Sequence, residues 1–294
     1  MPQTPRKTIT TPAVTLQPHE VADFRAVVTG YFSTHRRDMP WRHTADPYRI
    51  MVSEIMLQQT QVARVIPKYE QFIQRFPDVT ALAGAPLADV VAAWVGLGYN
   101  RRARFLHQAA AMVIEAYGGE FPTDSAGLQS LPGIGSNTAG AIMAYAYNRP
   151  VVFIETNIRT VYIHHFLSDE SAVADAAIRH LLEQTLDETH PREWYWALMD
   201  YGTHLKATRP SNLAQSRHYK KQSRFEGSLR QVRGAIVREL AGGAMPEESL
   251  RQTINDTYAA AGERFDPALS ALLAEGMVER HGTMISLTGS GQVS

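Results

Sequence analysis

The 294-residue chain contains no cysteine. Disulfides, thiolate nucleophiles, iron–sulfur clusters held by cysteine and cysteine-type zinc sites are thereby excluded, and nothing in the chain depends on an oxidising compartment. A surplus of charge is equally absent, because 29 Lys and Arg balance 29 Asp and Glu. Whole-molecule attraction to a polyanion is excluded with it, so any such site must be local. Lysine is scarce: Lys7, Lys68, Lys206, Lys220 and Lys221 are the only ones. The longest apolar run, around Val90–Leu97, falls well short of the roughly 20 residues that a membrane span needs, and the N-terminus lacks the apolar core of a signal peptide. The expectation is a cytoplasmic protein that is not exported. What is present is 44% hydrophobic residues, enough to fill real cores, in a length suited to about two domains of roughly 150 residues.

Met1–Pro18 is rich in Thr and Pro without periodic apolar residues, and reads as a disordered tail. From His19 onward apolar residues recur at helical spacing: Val21, Phe24, Val28 and Phe32; Leu57, Val62 and Ile66; Phe105, Ala109, Met112 and Val113. Gly118-Gly119, Phe121-Pro122 and Pro132-Gly133 with Gly135 punctuate this helical region. No βαβ rhythm occurs, so the fold class is mainly α. Basic residues cluster at Arg217, Lys220, Lys221, Arg224, Arg230 and Arg233, either a solvated helix face or a phosphate-contacting strip. Beyond them, helices over Ser228–Ala241, Glu247–Tyr258 and Pro267–Glu275 precede a hairpin whose strands, Met277–Arg280 and Thr283–Leu287, flank His281-Gly282. Three short helices and a β-hairpin form a winged-helix-like pattern, a second candidate for DNA contact.

Leu131-Pro132-Gly133-Ile134-Gly135 is the most informative stretch. Its glycines permit a tight turn that exposes N–H groups at the start of a helix near Ser136, so it can hold a phosphate without charge. The small residues that follow, through Ala139-Gly140-Ala141, let another backbone approach, which favours a DNA-backbone clamp over a plain connection. Glu54 lies in a helix over Tyr48–Gln61, beside Ile50, Met51, Leu57 and Gln58. Desolvation there raises a carboxyl's pKa toward that of a general acid, although a structural pairing with arginine is equally compatible. Glu155 follows the apolar run Val151–Ile154 and precedes Thr156-Asn157, which can cap a helix over Ile158–Phe166. A carboxylate at a helix start is kept ionised by the local positive potential. An acid and an anion in opposed environments suit glycosidic bond cleavage. A metal reading of the histidines fails, because adjacent His164 and His165 point about 100° apart on a helix and no His-Glu-x-x-His occurs.

Taken together, Trp41-Arg42, Asp46-Pro47-Tyr48, Ser53–Val62, Gly96-Leu97-Gly98-Tyr99, Leu131–Gly135 and Thr138–Ile142 resemble the adenine DNA glycosylases of the helix-hairpin-helix, endonuclease III-like superfamily, which remove adenine mispaired with 8-oxoguanine. The resemblance runs from about His19 to Gly202. It implies a helix-hairpin-helix core of two helical subdomains over residues 19–224, then the winged-helix-like module over 225–294, with the target base flipped into the core's cleft. It further implies that Glu54 protonates adenine at N7. Gln58 would lie at the pocket, Gln59 would wedge into the stack, and Tyr99 would insert beside the opposite base. Asn157 and Arg159 would support the site and the phosphates. Arg104, Gly133, Gly135, Ser136, Asn137, Lys220 and Lys221 are the remaining candidates for DNA contact. A monovalent cation at the hairpin Leu131–Gly135 is the one bound ion expected.

The chain departs from the family pattern at four places. Glu155 stands where the catalytic Asp belongs, one methylene longer. Asn137 stands where bifunctional relatives carry lysine, so strand cleavage through a Schiff base is not expected. The four cluster cysteines after Met199–Gly202 are missing, with Lys206 and the basic segment in their place. The residues after Phe225 are too few and too helical for the hydrolase-like domain that reads 8-oxoguanine. The expected function is a monomeric, monofunctional glycosylase acting on double-stranded DNA, excising adenine opposite 8-oxoguanine or guanine. Its rivals are a thymine or uracil mismatch glycosylase and a non-catalytic lesion-binding protein.

Overall fold

The computed structural model describes residues 14–209, 211–216, 224–258 and 262–290. It is mainly helical, with α1 (Pro18–His35), α2 (Pro47–Leu57), α3 (Val62–Arg75), α4 (Val79–Ala83), α5 (Leu87–Trp94), α6 (Arg101–Tyr117), α7 (Ser125–Ser130), α8 (Ser136–Tyr145), α9 (Thr156–Phe166), α10 (Asp175–Thr185), α11 (Pro191–Thr208) and α12 (Leu229–Leu240) in chain order. There follow β1 (Met245–Pro246), α13 (Glu247–Thr257), α14 (Phe265–Ala274), β2 (Val278–His281) and β3 (Met284–Leu287). Among the described residues no helix is long and apolar enough to cross a membrane. The described residues form two compact units, one falling within 1–38 and 143–221 and the other within 39–142 and 222–294.

In the first unit α11 packs against α1 and α9. The apolar period of α1 puts Phe24 and Val28 inside, and the Phe24 ring lies 5.3 Å from Tyr162, 4.9 Å from Phe166 and 5.9 Å from Trp194, centroid to centroid. Crossing α9, α11 presents Gly202 to Asn157, and a Cβ at that glycine would lie 2.5 Å from the Asn157 carbonyl oxygen, so only glycine permits the approach. Arg37 ties α1's exit to the buried Asp200, donating through its backbone N–H at 3.1 Å and through Nε at 2.5 Å. The tail read over Met1–Pro18 must be corrected at its C-terminal end, residues 1–13 lying outside the described residues. Leu16 is buried, its N–H donates to Gln184 Oε1 at 2.8 Å, and Gln184 Nε2 donates to the Val14 carbonyl at 3.0 Å. One leucine and two side-chain-to-backbone bonds fix a segment that has no apolar period.

In the second unit α2 starts sharply, because Asp46 caps it by accepting from the Tyr48 N–H and Pro47 occupies its first turn. The helix buries Tyr48, Ile50, Met51, Val52, Ser53, Ile55 and Met56. It ends at Leu57, four residues short of the expected Gln61. Gln59 adopts φ +55, which no helix continues through, and Gln61 becomes the N-cap of α3. Gly118, at φ +64, ends α6 as its sequence position suggests. The C-terminal residues contain the three helices and hairpin expected, and one strand more, since Met245-Pro246 pairs with Met284-Ile285 to give an antiparallel sheet ordered β1-β3-β2. A proline-containing two-residue edge strand has no period to betray it. Val232, Ile236, Leu250, Phe265, Leu269 and Ile285 form this module's core, and α12 and β3 pack on α5. Residues 222–294 thus cluster with 39–142 rather than standing alone.

Candidate active site

Glu54 projects from the middle of α2, half-buried between fully buried Ser53 and Ile55. Because α2 stops at Leu57, Gln58 is a cap residue and not a member of the same helical face. Its Nε2 donates to Thr138 Oγ1 of α8 at 3.3 Å, which points the side chain toward the hairpin helix. Gln59 follows, exposed and left-handed at φ +55. Tyr99 is left-handed too, at φ +48. For residues with a Cβ this conformation is costly, about 1–3 kcal/mol each, and persists only where neighbours enforce it. The two residues expected to enter the DNA stack are therefore both held in strained turns.

The enforcing residue is Arg102, which sequence reasoning missed. Buried in the first turn of α6, its Nη1 donates to the carbonyls of Ile55 at 2.8 Å, Met56 at 3.0 Å and Gln58 at 2.6 Å. Its Nη2 donates to Thr60 Oγ1 at 3.1 Å and to the carbonyls of Leu97 at 3.2 Å and Gly98 at 2.9 Å. One guanidinium thus staples the end of α2, the Gln58–Thr60 turn and the turn leading into Tyr99. Burial lowers its pKa to about 10, which still leaves it charged at neutral pH. Adjacent arginines at 101, 102 and 104 mask it in the sequence, since only one of the three is turned inward. Arg104 instead runs toward the C-terminal module, where a Cβ at Gly276 would lie 3.4 Å from its Nη1.

The hairpin takes the form expected. Asp124 caps α7 by accepting from the Gly127 N–H, and the Ile134 N–H closes a turn on the Leu131 carbonyl at 3.1 Å. Gly133 has φ +80, and a Cβ there would meet the Phe105 Cβ at 2.7 Å, so the position excludes side chains twice over. Gly135, Ser136 and Asn137 are exposed at the start of α8, while Ala139, Gly140 and Ala141 are buried behind them. The hairpin's exposed chemistry is backbone N–H and neutral carbonyl oxygen, with no carboxylate in Leu131–Gly135. That donor set fits a singly charged cation better than a divalent one. Gly133→Ala is expected to weaken duplex binding at least tenfold at unchanged helix content, measured by fluorescence anisotropy and circular dichroism. The clash must move either the phosphate-binding turn or α6.

Glu155 belongs to the first unit and occupies the N-cap of α9 itself, so Thr156-Asn157 begin the helix and do not cap it. Its side chain makes no capping bond. The expectation of a carboxylate kept ionised by the helix start is corrected: desolvation raises its pKa above the ordinary carboxylate range, and the opposing pull of Arg159 does not cancel that. Arg159 is itself taken by Asp175, through Nε at 2.8 Å and Nη2 at 2.7 Å, so it serves first as an ion-pair partner. Asn157 donates from Nδ2 to Thr203 Oγ1 at 3.4 Å. A raised pKa means that the folded state binds the proton more tightly than the unfolded chain, so stability falls as pH climbs from the ordinary value through the raised one. Glu155→Gln is therefore expected to raise the melting temperature at pH 8 and to lose that advantage below about pH 4.5.

Lys220 and Lys221 lie outside the described residues, as does Arg217. Of the rest of the basic segment, Arg224 is exposed, Arg233 pairs with Glu275 at 2.5 Å, and Arg230 donates to the Tyr99 hydroxyl. These last two therefore have partners within the protein as well. Arg230 also lines, with Gln58, Gln59, Tyr99, Arg102 and Gly133, a cavity of 550 Å³. His165 contacts the Tyr201 hydroxyl at 3.0 Å, and burial lowers its pKa to about 4. Among the described residues no cluster of His, Asp or Glu is assembled that could hold a metal ion.

Comparison with known proteins matches this arrangement to repair enzymes. Residues 52–186 match the family described as HhH-GPD superfamily base excision DNA repair protein. The adenine DNA glycosylase of Mycolicibacterium smegmatis is 32% identical over 281 residues, covering 89% of this chain and 95% of that protein. The human adenine DNA glycosylase is 35% identical over 195 residues, covering 62% of this chain and 36% of the human one. That of Buchnera aphidicola subsp. Baizongia pistaciae is 36% identical over 183 residues, 61% of this chain and 51% of its own. Among solved structures, a thermostable thymine-DNA glycosylase superposes with a TM-score of 0.59 at 26% identity, over 66% of this chain and 91% of that one. A trapped endonuclease III–DNA intermediate shares the fold with a TM-score of 0.57 at 17% identity, over 68% and 92%. The chain belongs to the adenine DNA glycosylase family of the helix-hairpin-helix base-excision repair superfamily.

Proposed function

We propose that the protein is a monofunctional glycosylase that flips adenine out of a mispair with 8-oxoguanine or guanine and hydrolyses its N-glycosidic bond. The observation that carries the reading is the Arg102 staple. It holds Gln59 and Tyr99 in strained turns on either side of one guanidinium, beside a phosphate-binding hairpin. A DNA wedge requires rigid, preformed side chains, and a structural loop does not require left-handed Gln and Tyr.

In this reading Glu54 delivers a proton to N7 of the flipped adenine, so that a neutral base leaves. Glu155, once ionised, faces the positive charge that develops on the sugar, with Asn157 positioning it. Because burial raises the Glu155 pKa, excision should fall on the acid side at a higher pH than an ordinary carboxylate would give. The backbone N–H groups of Gly133, Gly135, Ser136 and Asn137 hold a phosphate of the target strand, and the hairpin carbonyls would hold a monovalent cation that offsets its charge. Asn137 supplies no amine for a Schiff base, so the abasic product stays intact. We further propose that the protein works as a cytoplasmic monomer.

The test is a gel assay on end-labelled duplexes with and without alkali, under enzyme excess, with borohydride present in parallel. Strand breaks at adenine that need alkali, and no borohydride adduct, support the reading; breaks without alkali refute its monofunctional part. The second reading, release of thymine or uracil opposite guanine, is favoured by the likeness to a thymine-DNA glycosylase. It prevails if those bases are released while adenine stays attached.

A further inference from the structure

We propose that α12 of the C-terminal module reads the base opposite the excised one, with Arg230 as the residue that touches it. The inference rests on the glycosylase reading, because only base flipping leaves an estranged base to be read.

Every observation behind it lies within the second unit. Tyr99 borders two cavities, of 370 and 550 Å³, and α12 forms the facing wall of both through Arg230 and Gly234. The Arg230 guanidinium lies between two aromatic rings, 5.1 Å from the Tyr99 centroid and 5.3 Å from that of Phe225, and donates to the Tyr99 hydroxyl. Bracketed in this way, a long side chain has already given up much of the rotamer freedom that binding would otherwise take from it. Phe225 is 55% exposed, the most exposed large apolar side chain among the described residues. An open aromatic face beside a guanidinium is a stacking platform for a nucleobase.

Gly234 supplies an independent observation. It sits in the interior of α12, where glycine is disfavoured relative to alanine, yet a Cβ there would meet nothing within 4 Å. No packing demand explains the residue. What its missing side chain does is keep the wall of both cavities open opposite the wedge. The negative charge on the same wall, Glu275, is matched by Arg233, so the surface that faces the cavity is cationic in character.

The chemistry of a guanidinium selects the partner. A planar fork of N–H donors matches the O6 and N7 acceptors of guanine and finds no such pair on cytosine or thymine. The O6 acceptor is retained in 8-oxoguanine. Arg230 therefore favours a purine carrying O6 opposite the flipped adenine.

The experiment measures dissociation constants of the full chain for duplexes with a non-hydrolysable 2′-fluoro-adenosine opposite guanine, 7-deazaguanine or cytosine. The wild type is expected to prefer guanine. Arg230→Gln should shrink the guanine-to-cytosine and guanine-to-7-deazaguanine ratios at least about fivefold, with a smaller change for the cytosine duplex itself. Arg230→Lys, which keeps the charge and loses the fork, should shrink them similarly at a near wild-type melting temperature. Gly234→Leu should weaken the guanine duplex most. Equal weakening of all three duplexes, or unchanged ratios in a folded Arg230→Lys protein, overturns the proposal. Failure of the wild type to release adenine from a natural adenine–guanine duplex overturns the glycosylase reading instead, so the two failures are distinguishable.

Discussion

Glu54→Gln is expected to slow single-turnover release of adenine by about 10²–10⁴-fold, the range that a positioned general acid contributes, while the affinity for the mispaired duplex changes little. Adenine leaves poorly as an anion, and the amide of glutamine keeps the shape of the side chain without a proton to give. The helix around residue 54 makes the substitution a clean one: Asp46 and Pro47 start α2, and seven buried residues anchor it, none of them Glu54. Rapid-quench kinetics with parallel anisotropy titrations would check the split between rate and affinity. Retention of more than a tenth of the wild-type rate would remove Glu54 from the role of acid. It would also raise the standing of a pyrimidine substrate, which needs no protonation at a purine nitrogen.

Arg102→Lys is expected to destabilise the fold by at least about 3 kcal/mol and to abolish discrimination between mispaired and paired duplexes. The arginine satisfies five backbone carbonyls and the Thr60 hydroxyl. A single ammonium cannot reach both turns, and each buried carbonyl left without a donor costs about 1–3 kcal/mol. Relaxation of the turns then frees Gln59 and Tyr99 from their left-handed conformations, which neither residue adopts by preference. Urea unfolding gives the stability loss, and competition binding gives the discrimination. A variant within 1 kcal/mol of wild type that still discriminates would show that the turns hold themselves.

Much of this was legible in the sequence, for identifiable reasons. Glycines that need positive φ announce themselves, and Gly118 and Gly133 each stand where a side chain would be strained or would collide. Apolar period located the helices, and Gly282 marked the hairpin, although its turn is Gly282-Thr283 and not the expected His281-Gly282, because His281 pairs with Met284. Three things were not legible. The helix of Glu54 stops at Leu57 although Gln58–Gln61 has no breaker, because tertiary donors from Arg102 capture its last carbonyls. Glu155 was assigned the helix-start potential when burial is the larger effect, and burial depends on neighbours far along the chain. The basic segment left a solvated face and a phosphate-contacting strip both open, and nothing in it shows that Arg230 and Arg233 reach Tyr99 and Glu275, 131 and 42 residues away. Charge counted along a sequence carries no information about which of its members are already matched.

The most direct test of the central claim is chromatographic identification of the free base released by excess wild-type protein from a duplex with adenine opposite 8-oxoguanine. Free adenine, in an amount equal to the alkali-labile sites formed and absent with Glu54→Gln, is the result expected. An intact duplex that is nonetheless bound tightly, or release of thymine or uracil alone from duplexes with guanine, would contradict it.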